Sequence, residues 1–282
     1  MSTLPDPGNI KALAMDLDGT VLAPKAVLTE RTAKAVGKCI ERGIKIIVAT
    51  GRSIESAEPF RSALGASGPM VYFNGALIAE MPGGKILKTT LLETKAVESC
   101  VDISRETGIY FQVFFLDGGK EKRIILAAEQ DGKEREMYLK HTGIHSELGD
   151  LKEALRRHGD GSCVKAMFLA EPEQQALLRP LLEERIGGSI YVTQTLRNFL
   201  EIMDAKVSKG EGLKFALETL SLKPEETIAF GDEENDIPML DAAGFSIVPA
   251  NAKDAVKARA GLVIGANTED GVAAFLEDFF QL

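Results

Sequence analysis

The chain has 282 residues, of which 45% are hydrophobic and 27% charged, so it is long enough for two domains or for one large domain with an insertion. Acidic residues outnumber basic ones by 42 to 33 without a long block of either sign, which argues against nucleic acid as a partner. No apolar run reaches membrane-spanning length and no signal-like segment opens the chain, so we expect a cytoplasmic protein without a membrane partner.

Cysteine and histidine usage excludes two further kinds of site. The 3 cysteines are widely separated and outside any paired spacing, so we expect reduced, buried thiols at Cys39, Cys100 and Cys163. The 3 histidines all lie in one polar stretch, residues 141–158, which argues against a histidine triad or a zinc site.

The amino-terminal stretch has the pattern of a strand that ends in a polar loop. Residues 10–15 form an apolar run that predicts a buried strand, and Asp16 and Asp18 follow it directly. Residues two apart on a strand point to the same side, so we expect the two carboxylates to face one small volume. A simple Asp-Gly turn after a strand is the alternative interpretation, and only the downstream motifs weigh against it.

The pattern then repeats along the chain. Residues 29–42 have helical spacing, and residues 44–49 form a β-branched strand that ends at Thr50. A second helix to about residue 64 and a third strand at 70–73 follow. This alternation is typical of a doubly wound, Rossmann-like parallel sheet, in which ligands bind beyond the carboxyl ends of the strands.

The alternation breaks down near residue 85 and resumes near residue 204. Lys209 lies at the start of a predicted helix, and a predicted strand at 227–230 ends just before Asp232. We therefore expect an α/β core formed by residues 1–84 and 204–282, with an α+β cap domain inserted over residues 85–203.

The predicted cap begins with a helix and an antiparallel hairpin. The hairpin strands are expected at 109–116 and 123–129, joined by the turn at 117–119. The basic residues at 120–123 lie beside this turn, and they face either a substrate or solvent. Charge-rich helical segments are expected over residues 133–158.

Polar clusters therefore lie at strand ends or at a helix start of one predicted sheet: Asp16 with Asp18, Thr50-Gly51-Arg52, Lys209, and Asp232 with Asn235 and Asp236. Several aspartates without histidine or cysteine make a hard oxygen site, which suits Mg²⁺ better than zinc and most often handles phosphate. Thr50 and Lys209 are candidates to bind phosphoryl oxygens. A carboxylate that accepts a phosphoryl group needs cations to offset the charge repulsion, and Mg²⁺ and a lysine would provide them.

The motif order resembles that of the haloacid dehalogenase superfamily. The four motifs are Asp16-x-Asp18-Gly19-Thr20, Thr50-Gly51-Arg52, Ser208-Lys209-Gly210 and Gly231-Asp232-x-x-Asn235-Asp236. The chain is most similar to the Cof-type phosphatases, whose cap is inserted after the second motif. Three further motifs extend this resemblance over nearly the whole chain: Asn74-Gly75-Ala76, Asn251-Ala252 and Asn267-x-x-Asp270-Gly271-Val272.

The resemblance implies a role for each motif. Asp16 would be the nucleophile that takes the phosphoryl group as an aspartyl-phosphate, and Asp18 would protonate the leaving alkoxide and then activate water. The implied Mg²⁺ ligands are Asp16, the Asp18 main-chain oxygen and Asp232, with Asp236 in support. The implied phosphate-binding groups are the Leu17 amide, Thr50, Gly51, Lys209 and Asn235.

Three residues near these motifs have two interpretations each. Arg52 either contacts the substrate or forms an ion pair with a neighbouring acid. Asn74 and Asn251 either support the site or cap the backbone of a turn. The family often has Met-Gly before the Asn-Ala motif, whereas Pro249 and Ala250 stand there in this chain.

By this resemblance we expect a magnesium-dependent phosphatase that acts on a small phosphorylated metabolite, above all a sugar phosphate. The cap would close over the site, exclude water and choose the substrate. A phosphohexose mutase on the same site is an alternative, because it would share the nucleophile. A non-catalytic sugar-phosphate sensor is a second alternative, although such a protein would need neither Asp16 nor Asp18.

Overall fold

A computed structural model of the chain describes residues 4–117 and 124–282. It contains two compact units, one made of residues up to Lys88 and from Ser208 onward, the other of Thr89–Val207. The boundaries thus fall at residues 88 and 207, where the sequence had suggested 84 and 203. The shift at the first boundary arises because the strand after residue 84 pairs with strands of the first unit.

Helices and strands are labelled in chain order. The first part of the first unit contains β1 (Ala12–Met15), α1 (Glu30–Glu41), β2 (Lys45–Val48), α2 (Ile54–Ala63), β3 (Gly68–Tyr72), β4 (Leu77–Met81) and β5 (Lys85–Thr89). The second unit contains α3 (Thr94–Thr107), β6 (Phe111–Leu116), β7 (Ile124–Ala128), α4 (Lys133–Thr142), β8 (Ser146–Leu148), α5 (Leu151–His158), β9 (Cys163–Leu169), α6 (Pro172–Arg185), β10 (Ile190–Leu196) and β11 (Phe199–Asp204). The first unit resumes with α7 (Lys209–Leu220), β12 (Thr227–Phe230), α8 (Ile237–Ala242), β13 (Phe245–Pro249), α9 (Asp254–Lys257), β14 (Leu262–Ile264) and α10 (Gly271–Phe280).

The first unit is built on a parallel sheet with the strand order β14-β13-β12-β1-β2. On one face, Ala14 and Ile47 belong to a buried cluster with Leu213 of α7 and Met239 of α8. On the other face, Phe230 meets Phe275 of α10, with ring centroids 5.8 Å apart. Because both faces are covered, the strands are predominantly apolar, and the predicted doubly wound core is confirmed.

The third predicted strand forms, but it belongs to a separate sheet. β3 pairs antiparallel with β4 in a three-stranded sheet of order β3-β4-β5, and a single bridge from Ala49 to Val71 links it to the edge of the main sheet. The chain reverses at Asn74 and Gly75, whose φ angles are +56° and +105°. Such left-handed backbone is what Asn and Gly adopt most readily, and it sends the chain back along β3.

The second unit contains a six-stranded sheet of order β10-β11-β9-β6-β7-β8. Its strand pairs are antiparallel except for β7 with β8, which is parallel. β8 was not expected, because it lies in a stretch that the sequence predicted as helical. A strand of three residues shows no readable alternation, and it exists here because it pairs with β7. Residues 118–123 lie outside the described residues, and they include two of the three positions of the predicted turn at 117–119 and the whole basic stretch at 120–123.

Alternation along these strands divides the second unit into two faces. Val113, Phe168 and Ile202 join the apolar residues of α3, α5 and α6 in one buried cluster. On the opposite face Lys165 and Glu201 form a buried ion pair, with Nζ and Oε1 2.6 Å apart. This unit is therefore an α+β layer structure, as the sequence indicated.

The cysteines provide a test of this packing. All three are free and buried, and burial raises the pKa of the thiol to about 11 for Cys39 and still further for Cys100 and Cys163. Since the thiolate is the reactive species, none should react with dithionitrobenzoate in the native protein at pH 8, whereas all should react after unfolding in guanidinium. Released thionitrobenzoate is measured by absorbance, and Asp254→Cys provides an exposed positive control. A native thiol that reacts as fast as this control would contradict the packing.

Candidate active site

The candidate site lies in the first unit, at the carboxyl edge of the parallel sheet. β1 lies between β2 and β12, so the loops that follow these three strands are neighbours. Asp16 follows β1, and its backbone N–H donates to the carbonyl of Phe230 at 3.0 Å, which continues the sheet register by one residue. Thr50 follows β2, and Asp232 follows β12. The sequence therefore brings distant motifs together simply by ending adjacent strands at one edge.

Three carboxylates lie at the centre of the site. One oxygen from each of Asp16, Asp232 and Asp236 lies within 4.8 Å of the other two, and all three residues are buried. Burial is the main reason that the pKa of Asp16 is raised well above its ordinary value, and the neighbouring carboxylates add to the shift. Burial and Asp236 likewise raise the pKa of Asp232 to about 7. A cluster of oxygen donors that carries this much charge fits Mg²⁺.

Lys209 offsets part of this charge. Its Nζ lies 2.5 Å from Asp16 Oδ1 and 2.6 Å from Asp236 Oδ1, and the side chain is only 1% exposed. Burial opposes the charge on the ammonium, but the two carboxylates outweigh it and raise the pKa of Lys209. The lysine is therefore a fixed cation at the first position of α7.

Asp236 anchors the loop that carries Asp232. While its Oδ1 accepts from Lys209, its Oδ2 accepts from the backbone N–H groups of Asp232 and Glu233 at 2.9 and 3.0 Å. Both oxygens thus have partners in the protein. This arrangement stabilises the shape of the loop that carries Asp232 more directly than it offers a free ligand atom.

Thr20 is a residue to which the sequence analysis assigned no role. Its hydroxyl donates to Asp232 Oδ1 at 2.6 Å, and the residue is 1% exposed. This hydrogen bond fixes the rotamer of Asp232 and lowers its pKa, against the effect of burial. The only signal in the sequence was its place in the first motif.

The second motif places Thr50 and Arg52 beside the aspartates. Thr50 is buried, and its Oγ1 accepts from the backbone N–H of Arg52 at 3.2 Å. The Arg52 guanidinium binds Asp18 through two parallel hydrogen bonds of 2.6 Å, from Nε to Oδ2 and from Nη2 to Oδ1. Of the two interpretations of Arg52, the structure shows the ion pair, and Asp18 is the acid.

The two asparagines that had alternative interpretations have different surroundings. Asn74 is completely buried, and its Oδ1 accepts from Asn235 Nδ2 at 2.9 Å, so it holds a residue of the fourth motif. Asn251 instead contacts backbone, since its Nδ2 donates to the Gly19 carbonyl at 2.8 Å and its Oδ1 accepts from the Asn267 N–H at 2.9 Å. Asn251 therefore joins the backbones of two distant loops, whereas Asn74 holds Asn235.

The remaining predicted phosphate-binding groups lie in the same loops. Leu17 is buried between the two aspartates, and its carbonyl accepts from the Leu22 N–H at 2.8 Å, which closes the first loop. Gly51 follows Thr50 at the end of β2. The structure thus brings all the residues of the four predicted motifs to one edge of the first unit.

The comparison with known proteins agrees with this geometry. A sequence profile of haloacid dehalogenase-like hydrolases matches residues 13–276. A pyridoxal phosphate phosphatase of Escherichia coli is 28% identical over 282 residues, which covers 94% of this chain and 97% of that protein. Among solved structures, a sugar phosphatase of subclass IIB of the haloacid dehalogenase superfamily superposes with a TM-score of 0.80 at 22% identity, covering 96% of this chain and 100% of the other.

A chloroplast endoribonuclease of Arabidopsis thaliana is also 28% identical, over 275 residues. This chain spans only 44% of that longer protein, so the similarity concerns one part of it.

The chain therefore belongs to the haloacid dehalogenase-like hydrolases. Within that family it is a Cof-type phosphatase, a phosphoric monoester hydrolase, as the order of its motifs had indicated. Among the residues that the structure describes, no helix is both long and apolar enough to cross a membrane.

Two glycines with the same backbone angle test how tightly the site is packed. Gly19 and Gly43 both have a φ of +83°, but a Cβ on Gly19 would lie 2.2 Å from Asp232 Oδ2, whereas a Cβ on Gly43 would meet nothing within 4 Å. Alanine at either position should cost about 1–2 kcal/mol of unfolding free energy, because the left-handed conformation disfavours a side chain.

Only Gly19→Ala should also lower phosphatase activity, by about 100-fold, because it displaces the Asp232 carboxylate. Chemical denaturation and phosphate release measure the two effects separately. Equal activities of Gly19→Ala and Gly43→Ala would show that the contact with Asp232 is unimportant.

Proposed function

We propose that this chain is a magnesium-dependent phosphatase of small phosphorylated metabolites that works through a phosphorylated Asp16. The observation that carries the proposal is the setting of Asp16, a buried carboxylate in contact with a buried lysine and beside two further aspartates. A carboxylate in such a place needs positive charge before a phosphate dianion can approach it.

In the first step Asp16 would attack the phosphorus atom, and Asp18 would give a proton to the leaving oxygen. Lys209 already contacts Asp16, so it is placed to offset the charge on the transferring group. Mg²⁺, when bound by Asp16, Asp232 and the main-chain oxygen of Asp18, would supply additional positive charge at the same point.

Other groups around Asp16 would hold the phosphoryl oxygens during this step. We assign this role to the Leu17 and Gly51 amides, the Thr50 hydroxyl, Lys209 and Asn235. Asn235 is 4% exposed, and its Nδ2 donates to Asn74 Oδ1 at 2.9 Å. An amide NH2 group has two N–H donors, so the second N–H of Asn235 would be the group that donates to a phosphoryl oxygen.

In the second step water would attack the aspartyl-phosphate, and Asp18 would take a proton from it. The Asp18 side chain is 30% exposed, in contrast to the buried Asp16, so water reaches the residue that is proposed to activate it. Release of phosphate would return both aspartates to their starting state.

We propose a sugar phosphate as the first substrate class to test, with pyridoxal phosphate as the second. These classes are the ones named for the similar sugar phosphatase and for the Escherichia coli relative. We assign the chemistry to the first unit and substrate choice to the second. We also propose a cytoplasmic location, since three free thiols persist best in a reducing compartment.

Release of inorganic phosphate tests the nucleophile. The native chain should hydrolyse p-nitrophenyl phosphate and members of a sugar phosphate panel in Mg²⁺ and lose this activity in EDTA. Asp16→Asn should be inactive, because an amide cannot form the acyl phosphate. Asp254→Asn makes the same chemical change at a fully exposed carboxylate and should retain full activity. Phosphatase activity in Asp16→Asn would show that Asp16 is not the nucleophile. Phosphoryl transfer that occurs only in the presence of a bisphosphorylated sugar would show that the chain is a mutase.

The pH dependence of Mg²⁺ affinity tests the carboxylate cluster. The pKa of Asp232 is raised to about 7 in the metal-free protein, and a metal ligand must be ionised, so protons compete with Mg²⁺ below that pH. Affinity should rise by at least about tenfold per pH unit below pH 7, as expected for release of one proton from Asp232, and more steeply where Asp16, whose pKa is also raised, releases a second. Calorimetry without substrate measures this directly. A constant affinity between pH 5.5 and 7 would show that Asp232 does not bind the ion.

A further inference from the structure

The ion pair between Arg52 and Asp18 has a geometry that fixes the carboxyl group. Both carboxylate oxygens accept from the guanidinium at 2.6 Å, so the plane of the carboxylate is set by the plane of the arginine. Paired parallel hydrogen bonds of this kind define orientation as well as distance. A lysine could not reproduce them, because its ammonium is a point charge without a fork.

Arg52 is itself held by the surrounding residues. Its guanidinium carbon lies 4.9 Å from the centre of the Phe60 ring, and its Nη1 donates to the Ser56 carbonyl at 3.4 Å. The Arg52 side chain is 10% exposed, compared with 30% for Asp18. The arginine is thus the fixed partner, supported by α2, and the aspartate is the member of the pair nearer to solvent.

We propose that Arg52 is a positioning residue that orients the Asp18 carboxyl group for proton transfer. The inference rests on the proposed function, in which the Asp16 oxygen bonds to phosphorus, the bond from phosphorus to the leaving oxygen breaks, and the proton of Asp18 moves to that oxygen. Water then bonds to phosphorus, the bond to Asp16 breaks, and a proton from water returns to Asp18. In both steps one Asp18 oxygen exchanges the proton while the other keeps its contact with Arg52.

The leaving group separates this role from a general structural one. Nitrophenolate leaves without help, whereas an alkoxide leaves only when it is protonated, so correct placement of Asp18 matters for alkyl phosphates above all. The ratio kcat/KM covers the steps up to release of the alcohol or phenol, so the later attack of water does not enter it.

Arg52→Gln should therefore lower kcat/KM for an alkyl phosphate by about 10–100-fold, which is part of the usual contribution of acid catalysis. The same variant should lower kcat/KM for p-nitrophenyl phosphate by no more than about threefold. Arg52→Lys should resemble Arg52→Gln, because it retains the charge but not the paired hydrogen bonds.

Arg61→Gln is the matched control. Arg61 lies in α2, the helix on which Arg52 packs, and it likewise binds a carboxylate, Glu58, through Nε and Nη2 at 2.8 and 2.6 Å. Arg61→Gln breaks a similar ion pair that lies outside the site. Any decrease in kcat/KM should therefore be the same for the alkyl phosphate and for p-nitrophenyl phosphate. Thermal melting of both variants reports the structural cost independently.

A double-mutant cycle of Arg52→Gln with Asp18→Asn completes the test. Its substrate is phenyl phosphate, because phenolate leaves less readily than nitrophenolate and more readily than an alkoxide. If Arg52 acts through Asp18, then Arg52→Gln should not reduce kcat/KM further once Asp18 has been replaced. Equal losses on alkyl and nitrophenyl phosphates, or additive losses in the cycle, would overturn the inference while leaving the phosphatase mechanism intact. Absence of turnover by the native chain would instead remove the proposed function and this inference with it.

Discussion

The contact of Lys209 with Asp16 and Asp236 is the interaction on which the rest of the site depends. Three carboxylates would otherwise lie within 4.8 Å of one another in a buried place, where each charge is costly. The ammonium offsets part of this repulsion and joins the loop after β1, the start of α7 and the loop after β12. Removing one member of such a buried pair typically costs about 3–5 kcal/mol, because it leaves an uncompensated charge.

The glycines of the motifs follow from the same crowding. A Cβ on Gly231 would lie 2.4 Å from Asp236 Cβ, and one on Gly210 would lie 2.3 Å from the Pro238 carbonyl oxygen. These positions need glycine for space, because the loop after β12 folds back on itself at Gly231 and the start of α7 lies against the start of α8 at Gly210. In the first, third and fourth motifs, a polar side chain of the site therefore has a glycine beside it that leaves room for close packing.

Much of this site follows from the sequence because of one rule of parallel sheets. Asp16, Thr50 and Asp232 each come after a short apolar run, and adjacent parallel strands end at one edge, so the three were expected to meet. The boundaries between the two units and the strands of the additional sheets were harder to predict from the sequence. β8 is three residues long, and the reversal from β3 into β4 depends on backbone angles at Asn74 and Gly75 that the hydrophobic pattern does not report.

The partners of individual polar side chains were the hardest to predict. The sequence left two possible partners for Arg52, an acidic side chain or the substrate. Identifying Asp18 as the partner required knowing that β2 lies beside β1. The same holds for Thr20, whose partner Asp232 is 212 residues away. Asn251 reaches the Gly19 carbonyl only because the loops after β13 and β1 are neighbours, which no local pattern reveals. Contacts of this kind depend on the tertiary arrangement and not on propensity.

The order of the strands also constrains how the protein is made. β1 is flanked by β2 and β12, and Thr89–Val207 lies between those two strands in the chain. During synthesis, β1 therefore has only one of its neighbours until more than two hundred residues have left the ribosome. Asp16 emerges long before Lys209 can reach it, and the inserted unit has time to form its own core first. The active site is consequently a late product of folding, completed only when the chain returns to the sheet with which it began.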